Sequence, residues 1–298
     1  MLCALATVGA ACATPAPDTS SATASTSPLT LPETSTAPAT TTTTLPASPA
    51  DIAVPTSALD LAAALARVES DLRDPATDAD TARTLGWEQQ VLYRVLARNG
   101  DWLADVLATL PPELGEVVAL NLGGNTAISA LVEPPAALPD SWEIVAPPQP
   151  DVLVGYYREA EATSGIGWEY LAAINLVETR MGRIAGDSSA GAQGPMQFIP
   201  SSWDAFGDGG DVRDPQDAIL AAGRYLAAAG GPEDMDAAIY AYNHSDDYVD
   251  AVKRYATVLQ LDARAYLGYY HWQVTYRTVD GPWHLPEGYP IEPAVPLD

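Results

Sequence analysis

Cysteine is almost missing from this chain: of 298 residues only Cys3 and Cys12 are cysteine, both within the first twelve positions. Beyond them the chain can make no disulfide, no thiolate metal site and no cysteine nucleophile, so its stability must come from a packed core. Positive charge is nearly as scarce. Thirteen Arg and one Lys (Lys253) stand against 39 acids, a net charge of −25 divided evenly between residues 1–150 (5 basic, 17 acidic) and 151–298 (9 basic, 22 acidic). No basic patch is visible, which excludes a case for nucleic acid. The three histidines, His244, His271 and His284, are too widely spaced for a metal-ligand set, and neither a Gly-Lys-Ser/Thr phosphate loop nor a serine nucleophile elbow is present. No apolar run is long enough to span a bilayer.

What is present falls into four stretches. Residues 1–13, MLCALATVGAACA, resemble the back half of a secretion signal, although the first basic residue is Arg67. Two readings stand side by side: Gly9-Ala10-Ala11-Cys12 resembles a lipobox that would place a lipid on Cys12, and Ala11-Cys12-Ala13 has the form of a simple cleavage site. Both make the protein extracytoplasmic, either secreted or a membrane-anchored lipoprotein. Residues 14–57 are Thr, Ser, Pro and Ala with few large apolar side chains, so they cannot offset their chain entropy and read as a disordered linker.

From Ala58 apolar residues recur at helical spacing: Leu61, Leu65, Val68, Leu72; then Leu85, Leu92, Val95, Leu96; then Trp102 to Leu110. Residues 58–135 therefore read as three or four helices, closed by Pro111-Pro112 and by the Pro-rich stretch from Pro134 to Pro150. Residues 136–298 form the fourth stretch. Helices are expected at Val152–Thr163, Trp168–Met181, Asp214–Ala229, Met235–Tyr242 and Asp246–Leu259, with Asp214-Pro215 an unusually clear helix start. From about residue 265 a short hairpin or flap is expected, because WQVTYRTVDGPWHLPEGYP alternates and is rich in turn residues.

The most informative position is Glu178. It ends the uncharged segment Tyr170–Val177 and projects between Leu171, Ile174 and Asn175, while Leu176 and Val177 cover the opposite side. A helix apolar on nearly all sides is buried, so its carboxyl should be desolvated and its pKa raised, as a general acid requires. The plainer reading is a helix-end acid paired with Arg180 or Arg183.

Three segments in order, Glu178-Thr179-Arg180, Ser188-Ser189-Ala190-Gly191-Ala192-Gln193-Gly194-Pro195-Met196-Gln197 and Ala241-Tyr242-Asn243, resemble the motifs of lytic transglycosylases of the soluble-transglycosylase type, related to goose-type lysozyme. Thr179 stands where the family usually has Ser, and Pro195 where it has Leu. The resemblance covers roughly residues 150–260. It implies a mainly α, lysozyme-like catalytic domain, here with an N-terminal helical extension and a C-terminal hairpin or flap, that cleaves peptidoglycan between N-acetylmuramic acid and N-acetylglucosamine without a cofactor or metal.

By the same resemblance Glu178 protonates the glycosidic oxygen and then, as carboxylate, takes the proton of the muramyl C6 hydroxyl, closing a 1,6-anhydro ring. Met196 and Gln197 should line the glycan groove, and Tyr242 and Asn243 should sit beside Glu178, the phenol placed to bond the acid. The substrate-contacting serine falls on Ser188, with Ser189 a close rival because this loop is one residue longer. Asp204, Asp208, Asp211 and Asp214 raise the question of calcium, but the EF-hand spacing is absent and a solvated turn with an Asp214 cap is favoured. Two alternatives remain: a hydrolytic muramidase, which needs a second carboxylate such as Asp187 or Asp204, and a catalytically silent glycan-binding lipoprotein.

Overall fold

A computed structural model describes residues 48–297; the signal-like segment with Cys3 and Cys12, and most of the Thr/Ser/Pro-rich stretch, lie outside the described residues. The chain enters with a single 3-10 turn, Pro49–Asp51, inside the stretch read as linker. Helices α1 (Ala58–Arg73), α2 (Ala79–Arg98), α3 (Leu103–Thr109) and α4 (Pro112–Ala130) follow. Ser57 and Asp78 cap α1 and α2 by accepting the backbone N–H of Asp60 and Thr81. Pro112 opens α4 instead of closing the helical region, because proline's fixed φ and missing N–H suit the first helical position.

The second half contains α5 (Pro150–Ser164), α6 (Trp168–Thr179), α7 (Pro200–Phe206), α8 (Pro215–Ala228), α9 (Met235–Tyr242), α10 (Asp246–Leu261) and α11 (Ala265–His271). The Asp214 carboxylate accepts the N–H groups of Gln216 and Asp217 and starts α8. Two-stranded β1 (Glu143–Ile144) and β2 (Ile184–Ala185) pair antiparallel, and β3 (Val274–Thr278), β4 (Gly281–Leu285) and β5 (Val295–Pro296) form a second antiparallel sheet. Residues 265–271, expected to open the flap, are helical: Tyr266, Leu267, Tyr269 and Tyr270 are all buried, so the segment is held by packing on both sides of a short helix. The hairpin itself begins at Val274. It closes over Trp142, Ile144 and Ile184, a small cluster of its own.

One hydrophobic core runs from Leu61 to Trp272 and crosses residue 135 without a break. Two packings join the halves, α4 against α10 and α2 against α11. Gly123 and Gly124 permit the first: a Cβ on Gly124 would lie 2.9 Å from the Tyr255 ring, and one on Gly123 2.6 Å from the Arg254 guanidinium. At the centre is α6, with ten of its twelve residues buried. An all-round apolar helix has no face to offer water, so α5, α8 and α10 surround it. Among the described residues no helix is long and apolar enough to cross a membrane.

Candidate active site

The end of α6 sets the site. After Thr179 the backbone turns left-handed at three successive residues, Arg180 (φ 54°), Met181 (φ 63°) and Gly182 (φ 88°). The N–H groups of Arg180 and Met181 return to the carbonyls of Leu176 and Asn175, closing the helix in the crossed pattern of a left-handed cap. Arg and Met at positions that favour glycine are costly, on the order of 1 kcal/mol or more each, and such strain persists only where packing over-determines it. Here it re-aims the chain within one turn of Glu178.

Glu178 is 6% exposed. Its Oε1 accepts the phenol of Tyr248 on α10 at 2.7 Å. Burial pushes its carboxyl up to about 7, with the Tyr248 hydrogen bond pulling the other way. Its place in the last turn of α6 adds to the same effect, since the negative end of the helix disfavours a carboxylate. The pairing with Arg180 or Arg183 does not form. Arg180 donates to the Leu176 carbonyl at 2.9 Å and Arg183 to the Tyr270 carbonyl at 2.9 Å, and among the described residues no cation bridges to Glu178.

The Gly-rich loop is fastened to α6 from beneath. Asn175 Nδ2 and Thr179 Oγ1 both donate to the Pro195 carbonyl, at 2.9 and 2.6 Å, and Tyr157 donates to Asn175 Oδ1 at 2.7 Å. Gln193 and Phe198 exchange both backbone hydrogen bonds, so the loop turns as a tight hairpin around Gly194. Only glycine fits there, with φ +72° and a Cβ position 1.8 Å from the Val212 carbonyl oxygen. Thr179 thus shows what a hydroxyl after the acid does in this chain: it positions loop backbone. Asn175 was legible as a polar residue on a buried helix, which must find a partner. Its partner was not.

Several expected positions change. The Tyr242 phenol donates to the Met196 carbonyl at 2.7 Å and does not bond the acid; Tyr248, six residues later, takes that place. No sequence signal separated the two tyrosines, because the crossing of α10 over α6 decides which phenol arrives. Met196 is fully buried and packs in the core, its carbonyl taken by the Tyr242 phenol. Ser188 is buried, its Oγ accepting the N–H groups of Ala190 and Ala192 at 3.2 and 2.9 Å, whereas Ser189 is exposed. Gln197 is half-buried with φ 51°, its amide donating to the Gly194 carbonyl at 2.9 Å. Asn243 is half-buried at the end of α9.

An aromatic nest holds the loop from the other side: Phe198 and Tyr225 stand edge-on to Tyr242 at 5.8 and 5.1 Å between centroids, and Trp203 meets Phe198 at 5.5 Å. Trp203 and Tyr225 therefore support the loop only through Phe198 and Tyr242, on the side away from Asn175 and Thr179 of α6. His244 is exposed against Tyr240. The carboxylates of the 204–217 segment act locally, Asp211 accepting the N–H of Arg213 and Asp217 that of Asp211. Among the described residues no group of three or more His, Cys, Asp or Glu has the arrangement to hold a metal. Asp187 is committed to Arg213 at 2.9 Å and to Gln193 at 3.1 Å, and Asp204 is exposed on α7.

A mainly helical domain with a single buried acid at the end of its central helix, and a loop folded back over that end, belongs to the lysozyme-like class. Residues 155–260 match the family model described as the transglycosylase SLT domain. Among curated proteins it is 29% identical over 143 residues to the membrane-bound lytic murein transglycosylase F of Thiobacillus denitrificans, covering 45% of this chain. The match spans about a quarter (27%) of that relative's length. No solved structure matches the chain.

Proposed function

We propose that this protein is an exported peptidoglycan lytic transglycosylase in which Glu178 is the only catalytic carboxyl. The observation that carries this reading is the Glu178 carboxyl itself: dry, without a cationic partner among the described residues, touched by one phenol and held near pKa 7. A group in that range is protonated often enough to donate and is basic enough to accept, the balance that general acid–base catalysis needs near neutrality.

In the forward step Glu178 gives its proton to the glycosidic oxygen as the bond from that oxygen to muramyl C1 breaks. The muramyl C6 hydroxyl then bonds to C1 and its proton passes to the Glu178 carboxylate. The acid is restored, no water is consumed, and the product ends in a 1,6-anhydro ring. The sugar's 2-acetamido group is available as an internal nucleophile between the two steps. A hydrolytic muramidase would need a second carboxylate about 6.5–9.5 Å from the acid to activate water. The ion pair of Asp187 with Arg213 and the exposed position of Asp204 favour the transglycosylase reading.

Glycan contacts are assigned to Ser189, Gln197 and Asn243, whose side chains reach the surface, with Ser188, Met196 and Tyr242 shaping the loop that presents them. With a net charge of −25 the chain gains nothing from anionic polymers at long range, so the glycan is gripped by sugar contacts. Export rests on the signal-like residues 1–13, with Cys12 either lipidated at a membrane or absent from a freely secreted form; intact mass of the cell-associated protein separates the two.

Digesting purified peptidoglycan with the protein and with Glu178→Gln, followed by mass analysis of the muropeptides, tests the reaction. Anhydromuramyl ends that fall by about 10²–10⁴-fold in the variant are expected. Reducing ends would establish hydrolysis instead, and binding without products would establish a silent scaffold.

A further inference from the structure

A residue that closes a helix at φ 54° and ψ 57° is ordinarily glycine, yet this chain places Arg180 there and keeps Gly182 for the third left-handed position. Arg180 is secured by its own side chain. The Leu176 carbonyl accepts the Arg180 backbone N–H at 3.2 Å and its guanidinium at 2.9 Å, so one oxygen holds both ends of one residue. The guanidinium carbon also lies 6.0 Å from the centre of the Trp272 ring, at the outer reach of cation–π attraction.

Trp272 is a fixed support. It is buried, its indole N–H is accepted by Gln89 Oε1 at 2.8 Å, and Tyr269, Tyr255 and Tyr93 surround it at 5.0, 5.9 and 6.3 Å between centroids. The Gln89 amide in turn donates to Glu69 at 3.0 Å. A Cβ on Gly268 would lie 2.4 Å from Gln89 Oε1, so α11 approaches this amide closely only because residue 268 is glycine. Glu69, Gln89 and Trp272 all lie outside residues 155–260.

Glycine at position 180 would close the helix with neither the backbone strain nor the buried charge. Burial holds the Arg180 guanidinium below the usual arginine range, with Tyr255 acting in the opposite direction, and among the described residues no carboxylate forms an ion pair with it. What arginine adds is a link from the helix end that carries Glu178 to α2 and α11. The same helix end is tied to the loop through Asn175 and Thr179, so two separate parts of the chain grip it on either side of the acid.

We propose that Arg180 is a positioning residue: bonded to Leu176 and laid over Trp272, it fixes the end of α6 so that the Glu178 carboxyl meets the Tyr248 phenol and the reacting glycosidic oxygen. Residues 58–135 then contribute to catalysis from behind, through Gln89 and Glu69. The catalytic part of this inference rests on the transglycosylase reading above, and the placing of the carboxyl does not.

Arg180→Gly separates positioning from capping, because glycine accepts the left-handed turn and loses only the side chain. Arg180→Asn, the other residue that adopts this turn readily, is the second variant, and circular dichroism verifies both folds. Two readouts are taken on the full chain. Carboxyl carbon-13 NMR, with the Glu178 signal identified by its loss in Glu178→Gln, is expected to show the carboxyl titrating at higher pH in both variants than in the parent, as it leaves the Tyr248 phenol. The phenols near it, Tyr242 and Tyr248, stay neutral, since burial holds both well above the usual tyrosine range. Anhydromuropeptide release from sonicated peptidoglycan is expected to fall by about tenfold or more in kcat, with apparent KM within about twofold, and Arg180→Lys, which keeps a cation over the ring, should recover most of that loss. A Glu178 titration unmoved in both variants overturns the proposal, as does an undiminished kcat. A parent that releases no anhydromuropeptide removes the transglycosylase reading instead, and the titration then decides this inference alone.

Discussion

Glu69 and Glu178 are both buried glutamates in helices of the same core, 0% and 6% exposed. Glu69, on α1, is surrounded by partners: Arg73 one turn later forms an ion pair with it, Gln89 donates at 3.0 Å, and Tyr93 donates as well. Tyr93 is in turn held by Asn121, and Asn121 by Tyr269, so the acid ties α1, α2, α4 and α11 together. Glu178 has one phenol and, among the described residues, no cation paired with it. The same residue type under the same burial thus becomes a structural knot in one place and a reactive acid in the other. What separates them is whether the fold supplies a positive charge and enough donors to fix the carboxylate.

The contrast breaks most sharply at Glu69. Replacing it by Ala takes from the Arg73 guanidinium, 14% exposed, its nearer carboxylate, leaving Asp262 at 3.8 Å, and strands two polar partners in the core, Gln89 and Tyr93. A loss of about 3–5 kcal/mol in urea-induced unfolding is expected, the range for removing one member of a buried ion pair. A change under 1 kcal/mol would put Glu69 among the dispensable acids. Glu178→Gln should act in the opposite direction. Above the unfolded carboxyl pKa of 4.5 the unfolded chain gives up this proton, while the folded chain holds it up to about pH 7, so the native acid lowers stability increasingly from pH 4.5 to about 7. The glutamine variant is therefore expected to be more stable than the parent at pH 8, by on the order of 1–3 kcal/mol, and about equal near pH 4. Thermal unfolding at both pH values checks the sign.

A smaller effect sharpens the comparison at its one shared feature, a tyrosine on the acid. The Tyr248 hydrogen bond favours the ionised form of Glu178, so Tyr248→Phe should move the alkaline limb of the pH–rate profile upward from about 7, at a stability cost of about 1 kcal/mol. A downward shift would mean that the phenol holds the neutral acid instead. Tyr242→Phe, which frees only the Met196 carbonyl, should leave that limb where it is.

The helices of the second half were legible because their caps and periodicity are local: Asp214 before Pro215, and the apolar run of α6, announce themselves in a few residues. The α4 segment was obscured by its own composition, since apolar residues and glycines all round leave no stripe to detect, and its glycines make sense only against Tyr255 and Arg254 of α10. Among site residues, Glu178 was legible from burial expected on one helix. The arrangement around it was not, because Tyr248 and Tyr242 differ only in where α9 and α10 carry them. Met196 and Ser188 were misplaced for a related reason: a tight loop must satisfy its own backbone and fill the space beneath it before any side chain faces outward.

The sequence by itself determined that one acid would lie at the end of a dry helix and that a glycine-rich loop would follow it. These are consequences of residue type and local spacing. Tertiary structure alone decided which tyrosine meets that acid, that no arginine among the described residues neutralises it, and that Arg180 lies over the ring of Trp272. Electrostatic environment depends on distances between chain segments far apart in sequence, and only packing of the helices sets those distances.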